Sequence, residues 1–404
     1  MNESGNWRRA TGIAGAAIGV IAAGAAAGVA IERMTVGRGI RRKARLALDA
    51  AGPYGALRGT PGRARADDGT ELYYEADEVT PGETAGAEGI AGPAGPRRRR
   101  LFGRKEPAPV TVVFSHGFCL NQDVWHFQRA ALRGLVRTVY WDQRSHGRSA
   151  RGAAQRGPDA VPVTIDQLGR DLKAVIDAAA PDGPLVLVGH SMGGMTVMAL
   201  ADQFPELIRD RVVGVAFVGT SSGKLAEVTY GLPTLGVNAV RSVLPGVLRM
   251  LGSQAELVER GRRATAEISA GVIKRYSFSS KDVDPAVARF AERLLESTPI
   301  DVVAEFYPAF TEHDKAKALP AFLDIPALVL AGENDLVTPS SHSEAIGDLL
   351  PDAELVIVPD GGHLVILEHP EAVTDRLADL LVRVGAVPAP SNVGTHGSTA
   401  QPGT

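Results

Sequence analysis

The sequence predicts an α/β fold: a doubly wound, mostly parallel sheet with a helical cap inserted in it, preceded by a transmembrane helix. Three observations carry that expectation. Short apolar runs rich in Val and Leu recur without strict polar alternation, as strands do when both faces of a parallel sheet are covered. Helical stretches follow most of these runs, and βα alternation of this length implies an open sheet. An uncharged stretch of 21 residues near the amino terminus is long enough to cross a hydrocarbon core of ~30 Å.

That stretch, Thr11–Ile31, holds nine Ala, five Gly, four Ile, two Val and a Thr. It sits in a basic region: residues 1–65 carry 11 Lys/Arg against 3 Asp/Glu, a net of +8, so the remainder carries −11 of the chain's total of −3. The expected role is a membrane anchor. A cleaved secretory signal is the alternative, since Arg8-Arg9 precedes the apolar run. A soluble Ala/Gly helix packed on the body is the third reading. Six Lys/Arg between Arg33 and Arg45 follow the run and two precede it, which by the positive-inside rule places the carboxyl-terminal body in the cytoplasm.

The elements of the body follow in order. Thr70–Ala76 reads as an early strand, and the expected catalytic domain spans 66–386. Residues 78–109, rich in Pro, Gly, Ala and Glu with Arg97–Arg100, have no hydrophobic period and read as a flexible insertion. Strands are expected at Val110–Ser115, Thr138–Asp142, Leu185–Gly189, Val212–Val218, Ala327–Ala331 and Glu354–Val358. Helices are expected at Asp123–Arg133, Ile165–Ala180, Met192–Phe204, Ser340–Leu350 and Pro370–Val384. The alternation lapses over 222–319, where Asn238–Leu251, Gln254–Ala270 and Pro285–Leu295 read as helices of a cap above the strand ends. Residues 387–404 read as a disordered tail.

Composition narrows the function. At 45% hydrophobic and 22% charged residues, the chain can bury a large core. A single cysteine, Cys119, excludes an intrachain disulfide framework and any multi-cysteine metal site. The mild net charge argues against a generic nucleic-acid binder. No cofactor or metal is expected.

The sharpest local signal is Leu185-Val-Leu-Val-Gly-His-Ser-Met-Gly-Gly194. A strand, Gly189-x-Ser191-x-Gly193 and a helix form a nucleophile elbow, whose tight turn pushes Ser191 out at the strand's carboxyl end. The following helix aims its first N–H groups at the reacting centre. A serine hydroxyl is a weak nucleophile and needs a base. Among nine histidines, His363 sits just past a late strand behind two glycines, where a loop can reach Ser191. His369 is the fallback. His116 and His146 belong to glycine loops and are expected to hold turns, while His190 points away from the nucleophile's face. Asp335 keeps the chain order Ser191, Asp335, His363, with Glu333 as runner-up for the acid. Asp142 is expected to anchor its own loop through Arg144 or backbone N–H groups. Cys119 reads as a small buried hydrophobe. Cys119, Trp125 and His126 are pocket candidates.

These residues together resemble the α/β-hydrolase family over about 65–385. Ser115-His-Gly-Phe118 follows a strand where the family places half of its oxyanion hole, so the resemblance implies the Phe118 and Met192 backbone N–H groups as its donors. Asp142-Gln-Arg-Ser-His-Gly-Arg-Ser149 is similar to the family's Asp-x-Arg-Gly-x-Gly-x-Ser loop, with Ser145 where Gly is common. Gly332-Glu-Asn-Asp335 and Gly361-Gly-His363 complete the order. Dehalogenases and epoxide hydrolases of similar fold carry a carboxylate at the nucleophile position, and Ser191 argues against both. The expected activity is hydrolysis of an ester-like, possibly lipid-like substrate through an acyl-enzyme. A cofactor-free haloperoxidase or perhydrolase, a thioesterase, and a non-catalytic scaffold that binds a ligand are the alternatives.

Overall fold

The computed structural model describes residues 54–80, 108–156, 160–229, 273–280 and 282–387, with isolated positions between 243 and 271. The expected anchor at Thr11–Ile31, most of the insertion at 78–109, the expected cap helices Asn238–Leu251 and Gln254–Ala270, and the tail beyond Val387 lie outside the described residues. Among the described residues no helix is long and apolar enough to cross a membrane.

The strands are β1 (Thr60–Arg65), β2 (Glu71–Asp77), β3 (Thr111–Ser115), β4 (Arg137–Trp141), β5 (Leu185–His190), β6 (Val212–Val218), β7 (Ala327–Gly332) and β8 (Glu354–Val358). They form one sheet in the order β1-β2-β4-β3-β5-β6-β7-β8. β1 pairs antiparallel with β2, and β2 with β4; every pairing from β4 to β8 is parallel. Seven of these strands coincide with the apolar runs. β1 does not: it lies ahead of residue 66, where the domain was expected to begin. Its sequence, Thr-Pro-Gly-Arg-Ala-Arg, has no apolar pattern, and Pro61 is tolerated because the strand is at the sheet edge.

The helices are α1 (His126–Leu132), α2 (Ile165–Ala179), α3 (Met192–Gln203), α4 (Pro205–Arg211), α5 (Pro285–Glu296), α6 (Ile300–Glu312), α7 (Ser340–Leu349), α8 (Val365–Glu368) and α9 (Pro370–Arg383). Local chemistry starts several of them. Thr164 accepts the Gln167 N–H to cap α2, Asp284 accepts the Ala286 N–H to cap α5, and Pro370 opens α9.

Successive residues of the central strands feed opposite cores. Val113, Leu187, Phe217 and Val329 pack with α2, α3 and α4 on one face. Phe114, Val188, Val218 and Leu330 pack with α8 and α9 on the other. Both faces are therefore apolar, which is why no polar alternation marks these strands. A third cluster joins Val302, Phe306 and Ala309 of α6 to Met192, Met195 and Leu168, seating this part of the cap on the starts of α2 and α3.

The strand order reverses between β3 and β5, the two strands that leave in opposite directions across the sheet. In open α/β sheets the crevice at such a point, beyond the carboxyl ends of the strands, is where ligands bind.

Candidate active site

Ser191 stands at that crevice. It joins β5 to α3 with φ 53° and ψ −120°, a strained conformation for a residue with a side chain. The neighbouring glycines explain how the turn closes. A Cβ on Gly189 would lie 2.5 Å from the Gly193 backbone, and one on Gly193 would lie 2.0 Å from the Ser115 carbonyl oxygen. Only hydrogen fits at either place.

Two loops from the other side of the sheet complete the constellation. Ser191 Oγ donates to His363 Nε2 at 3.0 Å, and His363 Nδ1–H donates to Asp335 Oδ2 at 2.8 Å. Asp335 follows β7 and is fully buried at its side chain. Its Oδ1 accepts N–H bonds from Val337 at 2.8 Å and Thr338 at 2.9 Å, and the Thr338 hydroxyl lies 2.9 Å from Oδ2. Burial alone would raise the Asp335 carboxyl; the adjacent His363 and these donors outweigh it and hold the group below its ordinary value. Glu333, the runner-up acid, is exposed and accepts the Asp360 N–H at 3.3 Å. His369, the fallback base, donates instead to the Asp360 carbonyl at 3.2 Å.

The other histidines build the frame. His190 Nε2–H donates to the His363 carbonyl oxygen at 2.9 Å, so the residue beside Ser191 holds the backbone of His363. Burial, with His363 nearby, pushes the His190 imidazole down to about 3, so it stays neutral. His116 Nε2 accepts the Gln143 N–H at 2.9 Å, and His146 Nε2 accepts the Cys119 N–H at 3.1 Å. Both are buried, and burial lowers them to about 3 and about 4. Asp142 anchors its loop through the Gln122 and Arg148 N–H groups, each at 2.8 Å. Arg144 takes no part in that; its guanidinium pairs with buried Asp171 at 2.5 and 2.6 Å and with Asp68 at 2.8 Å. Ser145, at the position where the family commonly has glycine, adopts φ 64°.

A cavity of about 800 Å³ opens over Ser191 and His363. Its described walls include Phe118, Met195, Leu225, Tyr276, Tyr307 and Phe310, and none of the described lining residues is Asp, Glu, Lys or Arg. Phe118 stacks between α6 residues Phe306, at 5.6 Å between ring centroids, and Phe310, at 5.0 Å. Cys119, the first of the three pocket candidates, lines the cavity, half-exposed at φ 58° rather than buried in the core. The two other pocket candidates are elsewhere. Trp125 is fully buried against Phe114 at 5.0 Å, on the core side of the loop. His126 faces Tyr54 edge-on at 5.3 Å and accepts the Gly55 N–H at Nδ1. Met192 is buried and opens α3, so its N–H has no intrahelical partner.

Residues 110–370 match the family described as the alpha/beta hydrolase fold. The chain belongs to the α/β-hydrolase fold family. Among curated relatives it is 26% identical over 355 residues to the "Dihydrolipoyllysine-residue acetyltransferase component of acetoin cleaving system" of Pseudomonas putida, covering 85% of this chain and 84% of that one. It is 27% identical over 276 residues to the "sn-1-specific diacylglycerol lipase ABHD11" of Mus musculus, covering 67% of this chain and 80% of the relative. Among solved structures, a thermophilic esterase from Thermogutta terrifontis aligns with a TM-score of 0.56 at 23% identity, over 80% of this chain and 98% of the esterase. The lipase and the esterase are hydrolases, and this chain is a hydrolase of the same fold.

Within this α/β-hydrolase the sequence motifs and the geometry largely coincide, but three participants had no sequence signal. Thr338 supports Asp335, His190 holds His363, and Glu368 binds the loop that carries His363. Each acts through a backbone or hydroxyl contact between residues distant along the chain, which no local spacing marks.

Proposed function

We propose that this α/β-hydrolase cleaves carboxylic esters through an acyl-enzyme on Ser191, with His363 as base and Asp335 as the group that orients it. The observation that carries the reading is the relay of two hydrogen bonds, 3.0 Å from Ser191 to His363 and 2.8 Å from His363 to Asp335, at the floor of an apolar cavity. With the proton on Nδ1 directed at Asp335, Nε2 is free to accept the Ser191 proton as Oγ attacks the ester carbonyl. The tetrahedral intermediate carries its negative charge on the former carbonyl oxygen, towards the Phe118 and Met192 N–H groups, each such donor contributing about 2.7–4 kcal/mol. The imidazolium then protonates the leaving alcohol. Water, deprotonated by the same nitrogen, releases the acid and restores Ser191.

The charge-free described walls support a neutral, apolar acyl group as substrate, because an ion buried there would have no partner. The run Thr11–Ile31 and its basic flank support an amino-terminal anchor with the hydrolase body on the cytoplasmic side. Protease digestion of the body from outside intact cells would refute that topology.

Labelling with a fluorophosphonate tests the chemistry. An adduct on Ser191, lost in Ser191→Ala and His363→Ala, is expected; a folded wild type that takes no label would sink the proposal. A series of p-nitrophenyl esters reads the acyl preference, and activity confined to the shortest chains would count against a lipid-like substrate.

A further inference from the structure

Glu368, the last residue of α8, accepts hydrogen bonds from three backbone N–H groups in two separate segments. Its Oε1 accepts from Ser280 at 2.8 Å and Ser279 at 3.0 Å, and its Oε2 accepts from Gly362 at 2.6 Å. Gly362 immediately precedes His363. Ser279 and Ser280 lie inside the cap span, in the segment that leads into α5. The carboxylate therefore bridges the cap and the loop that bears the candidate base.

Other contacts make the two segments one unit. The Leu364 N–H donates to the Ser277 carbonyl at 2.8 Å, and Asn334, beside Asp335, donates from Nδ2 to Ser279 Oγ at 2.9 Å. The backbones touch: a Cβ on Gly362 would lie 2.6 Å from the Ser279 nitrogen. On the other side of the same unit, Tyr276, Ser277 and Leu364 line the cavity with His363.

We propose that Glu368 is a positioning residue: it locks the His363 loop to the cap segment ahead of α5, so that the base is in register with Ser191 when the cap is seated. The role rests on the serine-hydrolase reading of Ser191 and His363. A substrate acyl group pressing on Tyr276 and Ser277 bears on the same hydrogen-bonded unit that holds the base, and the cost of loosening it falls on the chemical step.

Glu368→Gln tests this with little change of shape. The amide oxygen is kept by the paired Ser279 and Ser280 donors, which turns the NH2 towards the Gly362 N–H and breaks the bond next to His363. The assay is hydrolysis of p-nitrophenyl acetate and octanoate, with fluorophosphonate labelling and thermal melts of the full chain. A fall in kcat of about 10- to 100-fold is expected on both esters, since a displacement of about 1 Å at a reacting group has that effect. KM is expected to stay within about twofold, and the slower labelling to reach the wild-type end point. Asn334→Ala, which removes the second tie to Ser279, is expected to lower kcat about three- to fivefold. If Glu368→Gln does not fold, this variant decides. Unchanged kcat in the folded variants, an effect carried by KM, or a loss matching the unfolded fraction would overturn the proposal. A wild type that never labels overturns the serine-hydrolase reading, and this role with it.

Discussion

Replacing Asp335 with Asn preserves the outline of the side chain and exchanges one oxygen for an NH2. In the native arrangement Oδ1 accepts two backbone N–H bonds, at 2.8 and 2.9 Å, while Oδ2 faces His363 Nδ1 at 2.8 Å. The amide oxygen must stay with the backbone pair, because a rotated amide would aim its NH2 at two donors. The nitrogen then faces His363 and donates to Nδ1. That moves the imidazole proton to Nε2, where Ser191 Oγ needs an acceptor. We expect kcat to fall about 10⁴-fold, as in a serine-protease triad whose acid is made an amide, which corresponds to ~5.5 kcal/mol of transition-state stabilisation. The assay is p-nitrophenyl acetate hydrolysis with KM and kcat separated, and a thermal melt establishes that the variant is folded. Glu333→Gln is expected within about twofold of wild type, because that carboxylate is exposed and turned to Asp360. A loss below about tenfold in folded Asp335→Asn, or a larger loss in Glu333→Gln, would refute the assignment.

Three further outcomes follow from the packing around the site. Arg144→Met should cost about 3–5 kcal/mol in urea titration, because it strands the buried Asp171 carboxylate. Arg144→Met with Asp171→Leu should recover most of it, and a single-variant loss below about 1 kcal/mol would contradict the account. Gly193→Ala puts a methyl group 2.0 Å from the Ser115 carbonyl oxygen, where backbone must move. A loss of about 3 kcal/mol or more and no Ser191 labelling are expected, and a stable, reactive variant would be inconsistent with this elbow. Stability should also fall with acid. His116, His146 and His190 are lowered to about 3, 4 and 3, against 6.5 when free, so between pH 6.5 and about 4 the unfolded chain binds protons the folded one declines. Each imidazole then costs about 2 kcal/mol at pH 5, roughly 6 in all. Asp142, pushed up to about 6, and Glu305, pushed up to about 7, work in the opposite direction and together return about 3 kcal/mol between pH 7 and 5. Urea melts at pH 7 and 5 should therefore differ by about 3 kcal/mol, less stable at pH 5, and a protein more stable at pH 5 would exclude buried neutral imidazoles.

Much of the fold was legible because its strands and its elbow are written locally. An apolar run such as Leu185–His190 can satisfy no other environment as well as a covered strand, and Gly189-x-Ser191-x-Gly193 names a turn that no other residues close. The order of Ser191, Asp335 and His363 along the chain likewise follows the order in which the strands lay down their loops. What stayed hidden depends on partners far away in sequence. β1 is a strand because β2 offers it an edge, although nothing in Thr-Pro-Gly-Arg-Ala-Arg demands one. Trp125 and His126 are pocket candidates on sequence, but the 3₁₀ turn at Gln122–Trp125 and the start of α1 place neither in the cavity lining. Cys119 is a pocket candidate whose residue type also suits a core, and its left-handed backbone puts it in the cavity wall.

The sequence alone determined the fold family and the candidate residues Ser191, Asp335 and His363, with Glu333 left beside Asp335, since those depend on hydrophobic period, glycine sterics and chain order. The tertiary structure decided which acid of the Glu333–Asp335 pair meets the base, what lines the cavity, and how Glu368 and His190 hold His363. Those outcomes are set by distances between segments that meet when the sheet closes: the 28 residues from Asp335 to His363 span β8, and the 172 from Ser191 to His363 span the cap. A local pattern can specify a turn or a strand; it cannot specify a contact whose two halves are placed by different strands.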